Sequence, residues 1–279
     1  RDPERAQALG PITVHPTYDA LLADPDVDAV YLSLSNEAHL PWTLAAVAAG
    51  KHVLCEKPLC LTAQEVDQIV AAQGDLLVVE ASWYRWHPRI RLAQQHLAQI
   101  GAVRHVSAGF AFAGTLDGNY RLDPDRGGGA LYDVGHYAVS AALWAINRGL
   151  PQDVAAQART SDSGVDLSTK AVLEWDGATA EVHAGIDEGL GQWLVITGER
   201  GELELRDAPF TSWLDQPTEL MVSDGKGTTR VPVPPENAYR VMVEEVSSVI
   251  RGGAGWVLPL AESRLTAAAL DQIRAAAGN

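Results

Sequence analysis

Two stretches of the chain combine residues that can carry charge and move a proton. The first is GKHVLCEKPLCLTAQEV (50–66), with Glu56, Lys57 and Pro58 at its centre. Residues 52 to 56 read as a buried strand, where a glutamate and a lysine are costly to bury and a proline cannot donate to a sheet ladder. The triplet therefore ends the strand and projects charge at its C-terminal edge, which is where open α/β sheets bind ligands. The second is DRGGGALYDVGHYAVSAALW (125–144). Its Asp133 and Tyr137 form an i, i+4 pair on one helix face, and Asp133 and His136 are near neighbours as well. An ammonium, a carboxylate and a phenol or imidazole could together take a proton from a hydroxyl and polarise a carbonyl. A tyrosine, with an ordinary pKa of about 10, needs a nearby cation to do so at neutral pH.

The elements that must position these residues alternate. Residues 1–10 read as a helix start, followed by an amphipathic turn or two. AVYLSLS (29–35) has the apolar, β-branched content of a central strand, residues 37–50 have helical spacing and stop at Gly50, and HVLCEK is the next strand. Strand, helix and strand in this order predict a parallel βαβ unit with a right-handed crossover. A helix over 61–74, with Thr62 and Glu65 at capping-box spacing, and a strand over 75–83 continue the pattern of a doubly wound sheet. The rhythm then changes: a helix over 88–100, a strand, a Gly-rich loop and a helix over 128–147. Strands from 151 to 233 follow, with hairpin signals at WDGA, GERG and SDGKG, and helices over 236–251 and 260–276 close the chain. The expected plan is α/β: a partial Rossmann-type parallel sheet in residues 1–83, then an α+β domain with a large, mostly antiparallel sheet in 84–279, its last helix docking back on the first domain. Gly127, Gly128 and Gly129 either cradle a phosphate at the following helix N-terminus or permit a tight turn with close backbone approach, the second being the expectation.

Composition narrows the class. The 279 residues are 47% hydrophobic, enough for a large core, and the formal charge of −15 with a pI near 4.8 argues against a nucleic-acid or anionic-membrane partner. No window has the apolar length of a bilayer span and the N-terminus lacks the form of a signal peptide, so the expected location is the cytoplasm. The two cysteines, Cys55 and Cys60, are too few for a disulfide framework. A metal site made with His52 is not expected, because in a strand His52 and Cys55 point to opposite faces.

The stretch AVYLSLSNEAHLPWTLAAVAAGKHVLCEKPL (29–59), together with YRWHPR (84–89), the 125–144 motif and TGERGELEL (197–205), resembles the Gfo/Idh/MocA family of oxidoreductases over nearly the whole chain. The resemblance implies a dehydrogenase or reductase that uses NADP or NAD and acts on a sugar, polyol or related hydroxy compound. It places Lys57 beside the nicotinamide and the reacting oxygen, with Asp133 as orienter or substrate acceptor. Tyr137 then serves as acid/base, as in the branch that includes dihydrodiol dehydrogenase, glucose-fructose oxidoreductase and xylose dehydrogenase; His136 sits one place early. Expected cofactor contacts are Arg1, Ser35, Asn36, His39, Glu56, Lys57 and Pro58. Arg1 matches a position where arginine accompanies a 2′-phosphate, which favours NADP. Expected substrate contacts are Arg85, Trp86, His87 and Tyr120, with Trp83, Trp86 and Tyr120 suited to stacking on a sugar ring. A homo-oligomer paired through the strands of 151–233 is also implied. Two departures stand out: Ser35 replaces a proline common in the family, and no G-x-G-x-x-G turn precedes Ser35. The expectation is therefore that a first βαβ segment of roughly thirty or more residues lies upstream. The alternatives are a cofactor-deficient ligand-binding or regulatory module and a lyase or epimerase that recycles its cofactor.

Overall fold

Two sheets carry the chain. The computed structural model describes residues 7, 8, 10, 13–114, 118–205, 209–211 and 216–278; Arg1 lies outside them. After a short helix α1 (Tyr18–Leu22), strands β1 (Ala29–Leu32), β2 (His52–Glu56) and β3 (Val78–Ala81) form a parallel sheet in that order. Helices α2 (His39–Ala48) and α3 (Ala63–Ala72) make the crossovers. Val53, Leu54 and Cys55 of β2 are buried, as a central strand covered on both faces requires. The expected capping box opens α3: Thr62 Oγ1 accepts the Glu65 N–H at 3.2 Å and Glu65 Oε2 accepts the Thr62 N–H at 3.1 Å.

The predicted strand over 75–83 is shorter, and its end becomes a 3-10 turn, Trp83–Trp86, leading to α4 (Pro88–Ile100) and β4 (Val103–Ala113). The helix predicted over 128–147 begins instead with a π turn, Leu131–Gly135, and continues as α5 (His136–Ile146). Strands β5 (Asp153–Thr160), β6 (Asp166–Trp175), β7 (Ala178–Gly185), β8 (Asp187–Gly198), β9 (Gly201–Glu204), β10 (Thr218–Asp224) and β11 (Gly227–Val233) join β4 in an eight-stranded sheet. Its order is β11-β10-β9-β8-β4-β7-β6-β5, and only β4 and β7 run parallel. The three hairpin signals fall at the β6–β7, β8–β9 and β10–β11 turns.

Helices α6 (Ala238–Ile250) and α7 (Leu260–Ala277) end the chain. The larger core cluster joins α4 and α5 to one face of the big sheet through residues such as Ile90, Val139, Leu173 and Leu194. The smaller cluster, around Val30, Val53, Val66 and Ile69, also contains Ala267 of α7. That last helix reaches back to α3, where Asp271 Oδ2 accepts the Ala63 N–H at 2.9 Å and Arg264 pairs with Asp67 at 2.6 and 2.9 Å. Cys55 and Cys60 are buried free thiols, and His52 Nδ1 accepts the Leu77 N–H at 2.8 Å. No helix of the described residues is long and apolar enough to cross a membrane.

Candidate active site

β2 stops at Glu56 because the next residues turn away from the ladder. The Glu56 carboxylate anchors that turn, accepting from the Tyr31 hydroxyl and, at 3.3 Å, from the Lys57 N–H. The Lys57–Pro58 peptide is cis. Lys57 then extends across to the π turn, where its ammonium donates to the Asp133 backbone oxygen at 2.5 Å and lies 3.4 Å from Asp133 Oδ1. Insertions of this wider helical winding are frequent at functional sites. Here the π turn brings one residue's carbonyl and carboxylate to the same ammonium.

Arg121 completes the cluster. It grips the Asp133 carboxylate with two bonds, Nε to Oδ2 at 2.5 Å and Nη2 to Oδ1 at 3.2 Å, a bidentate geometry that guanidinium and carboxylate favour. Burial alone would push the Asp133 carboxyl upward, but Lys57 and Arg121 outweigh it and hold the group below the ordinary carboxylate range. Tyr137 lies one helical turn further on. Its hydroxyl accepts the Trp83 indole N–H at 3.0 Å, and the Lys57 ammonium stands over its ring, 5.1 Å from the centroid. Burial pushes the Tyr137 phenol well up, Tyr239 and Glu56 add to this, and the Trp83 bond opposes it. The phenol is therefore a proton-bearing group at neutral pH.

These side chains face a cavity of about 750 Å³ between the C-terminal ends of β1 and β2 and the eight-stranded sheet. Of the residues expected from the sequence, Ser35, Asn36, Glu56, Lys57, Tyr120, Asp133 and Tyr137 line it. His39 and Pro58 do not. His39 is fully buried, its ring bridging the Pro58 and Leu34 carbonyls at 2.7 and 3.1 Å, so it braces the two strand ends from behind. Arg85, Trp86 and His87 also face elsewhere, which corrects their expected place at the substrate: Arg85 pairs with Glu262 at 2.8 Å, Trp86 donates to the Trp256 carbonyl at 3.2 Å and His87 accepts the Arg89 N–H at 3.2 Å. The 3-10 winding of 83–86 spaces successive side chains about a third of a turn apart, which points Arg85 away from the side of Trp83. Trp86 returns to that side about 6 Å further along the winding, where it packs on Trp256 with ring centroids 4.7 Å apart. His136 is likewise turned away, at 1% exposure, toward Glu80.

Gly127, Gly128 and Gly129 spend their amides on the neighbouring loop, donating to Pro124, Asp123 and Arg121 carbonyls at 3.1, 3.0 and 2.9 Å. They serve close approach, since a Cβ on Gly128 would lie 2.5 Å from the Arg121 oxygen. The sequence reading missed Arg121, although its place beside Tyr120 in NYRLDP was a clue. It also missed Gln192, Thr211 and Tyr239, which reach the cavity from β8, the segment after β9 and α6.

Comparison with known proteins matches this arrangement. Residues 1–79 match the oxidoreductase family with an NAD-binding Rossmann fold, and residues 90–204 match the GFO/IDH/MocA C-terminal domain. The chain is 38% identical to D-xylose 1-dehydrogenase (NADP(+)) 2 of Haloferax volcanii, over 91% of this chain and 80% of that protein. The chain belongs to the Gfo/Idh/MocA family of oxidoreductases. It is also 31% identical to mouse trans-1,2-dihydrobenzene-1,2-diol dehydrogenase, over 100% of this chain and 86% of that one. Among solved structures, a 3-ketoreductase of Actinomadura kijaniata in complex with NADP and TDP-benzene superposes with a TM-score of 0.87 at 27% identity, covering 99% of this chain and 87% of the other. Like the family, the chain is an NAD(P)-dependent oxidoreductase. The cavity opens at the strand C-termini, where sheets of this kind bind ligands, is large enough to take part of such a cofactor, and has Ser35, Asn36 and Lys57 among the polar residues that could contact it.

Proposed function

We propose that the protein is a sugar dehydrogenase or reductase that prefers NADP and interconverts a hydroxyl and a carbonyl with Lys57, Asp133 and Tyr137. The observation that carries this reading is the convergence of an ammonium, an ionised carboxylate and a neutral phenol on one cavity at the strand ends. The cofactor, when bound, supplies the redox chemistry. Lys57 polarises the carbonyl oxygen and offsets charge that develops on it. Tyr137, protonated, gives its phenolic proton to that oxygen in reduction and takes a proton back in oxidation. Asp133 aims Lys57 and accepts from a substrate hydroxyl. Trp83 and Tyr239, stacked with centroids 4.8 Å apart, give the cavity an aromatic wall suited to the apolar face of a sugar ring.

The xylose dehydrogenase relative supports a pentose and NADP. A regulatory module would have no need of a lysine held this closely to Asp133. The test is absorbance at 340 nm with NADP+ or NAD+ over a panel of aldoses and polyols. Turnover with at least one aldose, faster with NADP+, is the expected result; no turnover and no cofactor binding would contradict it.

The assembly we propose is a homodimer in the cytoplasm, paired through the face of the eight-stranded sheet opposite α4 and α5. That face exposes Val172 and carries Trp193, whose indole N–H is held by Ser107 at 3.0 Å. Aromatic and apolar residues of this kind are typical of the centre of an interface.

A further inference from the structure

We propose that Glu80 is a positioning residue of the active site, its carboxylate joining the loop that aims Lys57 to the helix that carries Asp133 and Tyr137. The proposal rests on the oxidoreductase reading of the cavity. Glu80 stands in β3 opposite Cys55 of β2 and is 2% exposed. A carboxylate at that depth is costly unless its oxygens are met by donors. One oxygen, Oε1, accepts the Leu59 N–H at 2.8 Å and faces His136 Nε2 at 2.9 Å. Leu59 follows Lys57 and Pro58 directly, and His136 lies between Asp133 and Tyr137. A single buried atom therefore links the two segments whose side chains must meet.

Burial would raise the Glu80 carboxyl; His136 and the Leu59 N–H outweigh it, and the group stays below the ordinary carboxylate range. Neither Glu80 nor His136 lines the cavity, so the pair touches no substrate and acts through Lys57, Asp133 and Tyr137. The sequence gives no sign of this: Glu80 interrupts an apolar strand, and His136 reads as a competitor of Tyr137.

The test compares Glu80→Ala, Glu80→Gln and His136→Phe, each confirmed folded by circular dichroism. Glu80→Ala is expected to lower kcat by about 10²-fold, the loss that a displacement of about an ångström produces. The dissociation constant for NADPH, read by fluorescence, should change little. Glu80→Gln keeps the acceptor for Leu59 and should recover most of the rate, whereas His136→Phe keeps ring volume, removes the donor and should lose rate. A second readout needs no turnover: trinitrobenzenesulfonate labelling of Lys57, mapped by mass spectrometry, should rise in Glu80→Ala and His136→Phe and stay near wild type in Glu80→Gln. Wild-type labelling and kcat in folded Glu80→Ala or His136→Phe would overturn the proposal. If the unaltered protein turned over no substrate, the functional reading would fall and the labelling alone would decide the role of Glu80.

Discussion

Asp133 is held ionised by cations from two different segments, Lys57 from the end of β2 and Arg121 from the loop after β4. Removing one of them releases the carboxyl upward. Arg121→Leu is therefore expected to move the acid limb of the rate–pH profile to higher pH and to lower kcat, checked by steady-state rates across pH. The same linkage acts on stability. A carboxyl whose folded pKa is depressed stabilises the fold above its unfolded value, about 3.9, and loses that contribution as pH falls through the folded value. Wild type should therefore lose more stability in acid than Asp133→Asn, read as melting temperature against pH. Tyr137 has the opposite sign. Because its phenol keeps its proton to high pH, reduction should hold its rate through neutral pH and oxidation should quicken as pH rises. Tyr137→Phe should lower kcat by about 10²–10⁴-fold in both directions. At this scale the meeting of Lys57, Asp133 and Tyr137 at one cavity was legible through the family resemblance, because a charged strand end and an i, i+4 pair fit a solvated lysine and a packed tyrosine equally well on their own. Arg121 and Glu80 were not, because their partners lie 12 and 56 residues away along the chain and meet them only through tertiary packing.

The π turn is the element on which the site depends. It follows Gly129, whose φ of +111° lies in the region that favours glycine, and a Cβ there would fall 2.1 Å from Asp166 Oδ1. Asp166 in turn accepts the Leu131 N–H and the Thr169 hydroxyl at 2.8 and 2.7 Å, tying the start of the turn to β6. Gly129→Ala combines backbone strain with that clash and is expected to destabilise the protein by about 1–3 kcal/mol or more, measured by urea denaturation. The alternation of strands and helices up to residue 83 was legible from periodicity, and the later hairpins from their turn residues. The π turn and the 3-10 turn at 83–86 were not, since apolar spacing does not tell one helical winding from another over four or five residues. Trp83 meets the cavity while Arg85, Trp86 and His87, expected there, do not.

At the scale of the whole molecule, α7 ties the small parallel sheet to the domain that supplies Asp133 and Tyr137, so the two sides of the cavity are braced at their backs. The open sheet face should pair with a second copy, and Val172→Glu is expected to shift the protein toward monomer in size-exclusion chromatography with light scattering. A charge buried in such a paired face is disfavoured by desolvation. The central claim is that Lys57, Asp133 and Tyr137 direct nicotinamide-dependent oxidation of a sugar. Its most direct test is mass spectrometry of the NADPH formed when the protein acts on D-xylose carrying deuterium at C1. Transfer of that deuterium to the nicotinamide by wild type, and its loss in Lys57→Met with the cofactor still bound, is the predicted result. NADPH without deuterium would place the oxidised carbon elsewhere, and undiminished transfer in Lys57→Met would contradict the account.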